Sequence, residues 1–139
     1  MKIIETRRRI DADPASVWSV LTDPTRMVAG GLGLLRLEGK IAIGQKIMLE
    51  STTAPGRIFA LTVDHVTAPE RMVWSSGTPL IFNGTRVFTL SAVAGGTEFR
   101  MVETYRGLML PLIWRSMPDM QPGFEQFADG LKRAVEGGR

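Results

Sequence analysis

The hydrophobic period of this chain changes along its length, and that change limits the fold more than any other feature. Between residues 34 and 106 the apolar side chains alternate as in strands, with glycine and proline at short intervals. Near the end the spacing becomes helical. Phe124, Phe127, Ala128, Leu131, Ala134 and Val135 fall on one face. Consecutive strands with short connections predict an antiparallel meander. A sheet with one apolar face and a single long amphipathic helix must bury those faces against each other. A twisted sheet of this length curls, so it is expected to wrap around the helix.

The remaining segments fit that frame. Residues 2–12 read as a first strand. In "DADPASVWSVLTDP", Asp13 suits an N-cap and Pro14 the first helical position, where its missing N–H is harmless. Val17, Val20 and Leu21 give the helix an apolar stripe, Asp23-Pro24 closes it, and "TRMVAGG" adds a second short turn before Gly30-Gly31. "LLRLEGKIAIGQKIMLES" offers two strands punctuated by Gly39 and Gly44. "GRIFALTVDHV" and "RMVWSS" pair across "TAPE", and "NGTRVFTLSAV" and "TEFRMVETYRG" pair around Ala94-Gly95-Gly96. Pro111, Pro118 and Pro122 are expected to break 107–122 into irregular turns, and Gly137-Gly138 to end the last helix. Glu125, Lys132, Arg133 and Glu136 fall off its apolar face and are expected in solvent. The expectation is one α+β domain over 1–139. It has a curved antiparallel sheet of six to seven strands around a long C-terminal helix, with two short helices after the first strand.

Composition removes several classes of function. The chain has no cysteine, which excludes disulfides, thiolate catalysis and cysteine-held metals. No window reaches the roughly 18 apolar residues of a membrane span, and the N-terminus lacks the apolar core of a secretory signal. Both fit a cytoplasmic protein. The net charge of +3 comes from 17 basic and 14 acidic residues. In the one basic run, Arg7-Arg8-Arg9, strand alternation sends Arg8 opposite to its neighbours, so no basic patch and no nucleic-acid partner is expected. A single histidine argues against zinc. No dinucleotide fingerprint, phosphate loop, serine-hydrolase elbow or zinc-protease motif is present, so no cofactor or metal is expected.

The opening "IDADPASVWSVLTDP", "APERMVW" at 68–74, the "GTRVFTL…GGTEFRMVETYRG" hairpin and "FADGLKRAVE" occur in an order that resembles the START-like, or Bet v 1-like (SRPBCC), helix-grip superfamily. The nearest branch is the bacterial polyketide cyclase/dehydrase one. The resemblance spans nearly the whole chain and implies the helix-grip fold. Its members include aromatic-ring cyclases, lipid carriers, hormone receptors and chaperone regulators, so it does not choose one activity.

Residues 86–107 pose the functional question. With Ala94-Gly95 as a two-residue turn, Leu90 faces Phe99, Phe88 faces Met101, and Arg86 faces Glu103. A carboxylate then shares the concave face with Phe99, Met101 and Tyr105, compensated by a guanidinium across the strand. Three readings follow: a structural ion pair, a polar anchor in an apolar ligand pocket, or an acid–base group. The candidate lining comprises Met48, Phe59, His65, Trp74, Phe82, Arg86, Phe88, Met101, Glu103, Tyr105, Trp114 and Met117. Pairing across "TAPE" sets Val63 near Trp74 and His65 near Met72. The first functional reading is binding of a hydrophobic small molecule, whether polyketide, lipid or aromatic, with access past 30–33 and 107–122. The second is a cyclase or dehydratase in which Arg86, Glu103 and Tyr105 are the catalytic candidates. The third is an interaction module with a filled core. Whether the chain acts alone or as a homodimer is left open.

Overall fold

The computed structural model describes residues 1–137. The first strand, β1 (Lys2–Ile10), leads into two short helices, α1 (Pro14–Leu21) and α2 (Pro24–Ala29). Six strands follow: β2 (Leu34–Glu38), β3 (Lys46–Ser51), β4 (Phe59–Thr67), β5 (Arg71–Thr78), β6 (Phe82–Val93) and β7 (Gly96–Arg106). The chain closes with α3 (Leu110–Ser116) and the long α4 (Gln121–Gly137). The seven strands form one antiparallel sheet in the order β1-β7-β6-β5-β4-β3-β2, gripping α4. This is the expected α+β helix-grip architecture. Gly138, the second glycine of the expected helix stop, lies outside the described residues.

Local chemistry explains most boundaries. Pro14 opens α1 from its first turn, and the backbone N–H of Val17 donates to the carbonyl of Asp13. The Asp13 side chain does not cap the backbone as expected; it accepts from the Ser16 hydroxyl instead. At α2 the Asp23 carboxylate does accept from the Arg26 N–H, at 3.3 Å. The 107–122 stretch is more regular than its prolines suggest. Pro111 lies in the first turn of α3 and Pro122 is the second residue of α4, positions where no intrahelical N–H is required.

Register in the last hairpin follows the apolar alternation. Val93 pairs with Gly96, Leu90 with Phe99, Phe88 with Met101, and Arg86 with Glu103. Between β4 and β5, Val63 pairs with Trp74, but the register then shifts, and His65 lies opposite Val73 instead of Met72. The shift lets Val63 and Val66 both turn toward the core while Asp64 and His65 stay exposed.

The core lies between the sheet and α4. Phe124, Phe127, Ala128, Leu131 and Val135 are buried on the helix, against Ile47, Met72, Phe88, Phe99 and Met101 from the strands. Gly130 adds a close approach: a Cβ there would sit 2.4 Å from the carbonyl oxygen of Gly31. The 30–33 segment is therefore seated against α4, with Gly30 beside Ala134 and Gly33 beside Gln126.

One flank of α4 corrects the expectation of solvated charges. Arg133 is exposed, but Glu125 and Lys132 are engaged with β1 and Glu136 with Asp11 just after it. Arg8 donates to Glu125 and, at 2.7 Å, to Asp129. Lys132 donates to the Arg9 carbonyl and to Glu136, and Gln121 donates to the Glu5 carbonyl. The Asp11 N–H donates to Glu136. β1 is an edge strand, and these side chains satisfy backbone groups that no further strand covers. Arg8 turns inward to this seam while Arg7 and Arg9 stay exposed, so the basic run is divided as alternation requires.

Candidate functional site

Cross-strand pairing arranges the concave face in rows. One row reads Val63, Trp74, Arg86, Glu103 and Ile4, from β4 across to β1. The row toward the β6–β7 turn contains Met72, Phe88, Met101 and Thr6, all buried. The row on the other side contains Ser76, Gly84 and Tyr105. Beyond it, Thr78 pairs with Phe82.

Burial divides this face in two. Below the Arg86–Glu103 row, Phe127 of α4 fills the gap, its ring 6.0 Å from Phe88 and 6.3 Å from Phe99. At and above that row the cover is uneven: Ile4, Val63, Trp74 and Tyr105 are buried, but their neighbours are not. Phe59 is exposed, and Leu61, Ser76, Phe82, Trp114, Met117 and Met120 are only partly buried.

The ion pair stands at the boundary. Arg86 Nε donates to Glu103 Oε1 at 2.7 Å, with the two side chains 17% and 13% exposed. The guanidinium also lies over the Phe124 ring, 4.7 Å from its centroid. The Nη groups of Arg86 and the Ser76 hydroxyl make no hydrogen bond among the described residues, and neither does the buried Trp74 Nε1. Trp74 packs edge-on against Phe88 at 4.7 Å. Gly84 keeps the floor low: the place its Cβ would take is 3.4 Å from the Tyr105 ring and 3.5 Å from Glu103 Oε2.

Tyr105 is held by aromatic contacts, stacked on Phe82 at 6.1 Å and tilted to Trp114 at 5.3 Å. Its hydroxyl donates to the Met120 sulfur at 3.4 Å and lies within reach of Glu103. Burial pushes the phenol well above its ordinary range, and the Glu103 charge adds to that. The hydroxyl therefore stays protonated and acts as a donor near neutral pH.

The structure brings Trp74, Phe82, Arg86, Phe88, Met101, Glu103, Tyr105, Trp114 and Met117 into or beside this region. Two expected lining residues face away from it. Met48 points outward because Ile47 and Leu49 take the buried phase of β3. His65 is exposed after the β4 register shift, its Nε2 2.7 Å from the Thr67 hydroxyl. Phe59 keeps the inward phase of Val63 but sits at the rim under the Arg57 guanidinium, 5.3 Å away. Gly84, Ser76, Met120 and Phe124 complete the site and were not among the expected lining. Gly84 and Ser76 were findable, since each lies two residues from an inward-facing member of the row, Arg86 and Trp74.

Two surface clefts, of about 400 and 360 Å³, lie elsewhere. Both border Pro14 and Ala92; one is lined also by Pro69, Glu70 and Arg71, the other by Asp11, Gly95 and Gly96. Neither gathers a shielded ion pair among aromatic rings, so the boundary row is the better candidate despite their volume. Among the described residues no three His, Cys, Asp or Glu side chains are grouped to hold a metal, and no helix is long and apolar enough to cross a membrane.

With that geometry in place, known proteins supply a frame. No protein-family model matches the chain, and no curated protein matches it. Solved structures do. MLL2253 from Mesorhizobium loti aligns with a TM-score of 0.77 at 17% identity, covering 99% of both chains. DynU16, a protein of the dynemicin biosynthetic locus, aligns over the whole of this chain with a TM-score of 0.76 at 21% identity; the match spans 49% of DynU16. CalU16 from Micromonospora echinospora gives a TM-score of 0.71 at 21% identity, over 97% of this chain and 74% of its own. At such identities the likeness establishes the shared fold.

Proposed function

We propose that the chain is a single-domain START-like protein that binds an apolar small molecule at the uncovered half of its concave face. The Arg86–Glu103 pair is the polar anchor, and the protein acts in the cytoplasm. The observation that carries this reading is the largely buried but still partly wetted ion pair among aromatic rings, beside Gly84, which adds no side chain to the floor. Phe82 and Trp114 offer partly exposed aromatic surface beside it, backed by the buried rings of Tyr105 and Phe124. The fold-mate DynU16 belongs to a biosynthetic locus, which supports a polyketide or other aromatic compound as the ligand class. A lipid fits less well, because the gap beneath the ion pair is filled by Phe127.

The test is titration with neutral aromatic compounds, followed by intrinsic tryptophan fluorescence. Saturable one-to-one quenching should appear in the wild type and weaken about tenfold or more in Gly84→Leu, whose side chain would occupy the floor. Equal binding by that variant places the ligand elsewhere.

A cyclase or dehydratase activity is the second reading, favoured by the protonated Tyr105 hydroxyl close to Glu103. A polarised carbonyl near Tyr105 and a carboxylate able to move a proton are the minimum such chemistry needs. Under this reading Glu103→Gln binds ligand but turns nothing over. The interaction module draws support from the filled lower half alone, and leaves the ion pair unexplained.

A further inference from the structure

We propose that Glu103 sets the charge specificity of this site, so that it accepts uncharged carbonyl compounds and rejects the corresponding carboxylates. The inference rests on the binding reading above. It comes from a mismatch between donors and net charge. The donors left over around the anchor are the Nη groups of Arg86 and the hydroxyl of the partly buried Ser76, neither of which has a partner among the described residues; Trp74 Nε1 is also unpaired but enclosed in the core. A ligand oxygen with lone pairs suits such a set. Donors and a guanidinium alone would favour a carboxylate, which Arg86 would bind through two parallel hydrogen bonds.

Glu103 removes that advantage. Its Oε1 already takes Arg86 Nε at 2.7 Å, so the guanidinium charge is compensated within the protein. Its Oε2 borders the space above Gly84, where the polar end of a ligand would lie. A second carboxylate there would face this oxygen at short range and would also give up its own hydration among aromatic rings. A ketone gives up far less hydration and meets no like charge. The cost of the arrangement falls on anions alone, which makes it a repulsive device as much as an attractive one.

Three isosteric probes separate the possibilities in the wild-type protein near neutral pH: 2-acetylnaphthalene, 2-naphthamide and 2-naphthoate. The two neutral compounds should bind about tenfold or more tightly than the naphthoate, in line with one uncompensated charge at a partly shielded site. Glu103→Gln should reverse the order, because Arg86 then faces the naphthoate alone. Naphthoate binding as tightly as the ketone in the wild type overturns the proposal. So does naphthamide binding as weakly as naphthoate, since shape would then be the cause. A folded Glu103→Gln that keeps the wild-type order overturns it as well. All three of these outcomes leave the binding reading standing. Saturable binding of none of the probes to the wild type sinks both.

Discussion

The two halves of the concave face are built from the same strands and differ in what the helix does above them. Toward the β6–β7 turn, α4 lowers Phe127 onto Phe88 and Phe99, and the inner residues Met72, Phe88, Phe99 and Met101 are fully buried. Toward the other end the helix begins late. The chain there spends its length on α3 and the turn before α4, and Ser76, Phe82, Trp114 and Met117 remain partly exposed. The Arg86–Glu103 pair lies on the line between them. A charged pair tolerates that line because water still reaches one side of it, whereas a row deeper its desolvation would be far costlier. A helix-grip sheet can thus be structural core at one end and a candidate recognition surface at the other.

The largest expected effect tests the filled half. Phe127→Ala removes a ring wedged between two others in a closed space, and should cost about 3–5 kcal/mol in denaturant unfolding. Phe82→Ala removes an equally large ring from the open half, where solvent replaces it without a void. Its cost should be about 1 kcal/mol. Equal losses from the two variants would abolish the distinction between the halves.

The boundary itself should respond to an intermediate degree. Arg86→Ala leaves Glu103 without its 2.7 Å partner and uncovers the Phe124 ring. A fully buried pair loses about 3–5 kcal/mol on such truncation; with both side chains still partly wetted, about 2 kcal/mol is expected here. The double variant Arg86→Met with Glu103→Leu should be less destabilised than the sum of the single changes, because neither charge is stranded. Additive losses would show that the two side chains do not act as a pair.

What was legible in the sequence divides along the same line. Alternation fixes inward and outward residues wherever one face is buried, so the Arg86–Glu103 register could be derived from Leu90, Phe88 and their partners before any coordinates. It fails where the pattern carries two solutions. Met48 is apolar and lies between two apolar neighbours, and composition does not say which of the three faces out. His65 follows a register shift that no residue type announces. Gly84 has an inward position by its two-residue spacing from Arg86, but with no side chain it does not stand out as lining, although Tyr105 and Glu103 lie directly over it. The seam between α4 and β1 was missed for a different reason. Helical spacing separates apolar from polar faces, but an edge strand draws polar side chains to its free backbone groups, and pairing across more than a hundred residues has no local signal.

The ion pairs of β1 supply the smallest expected effect, and one that separates scaffold pairs from the site pair. Glu125 lies in the α4–β1 seam, whereas the Glu5 carboxylate pairs with Arg100 of β7 and with Arg7. Hydrogen bonds from Arg100 and then Arg7 lower the Glu5 carboxyl from its ordinary 4.5 to about 2, and Arg8 lowers that of Glu125. Both groups are depressed in the folded chain, so their contribution is complete above the unfolded-state value. It fades as pH falls from about 4.5 toward about 2, where Glu5 itself takes up a proton. Both carboxylates are well wetted, and screening keeps each contribution small, about 1–3 °C in Tm. Thermal unfolding followed through that acidic range should show a decline that is shallower in Glu5→Gln with Glu125→Gln than in the wild type. The same double variant should bind the neutral naphthyl probes unchanged, because neither residue touches the Arg86–Glu103 row. A wild-type acid slope retained by the double variant would assign acid sensitivity to other carboxylates. A loss of probe binding would show that the ion pairs of the edge strand and the open half are one coupled unit rather than separate regions.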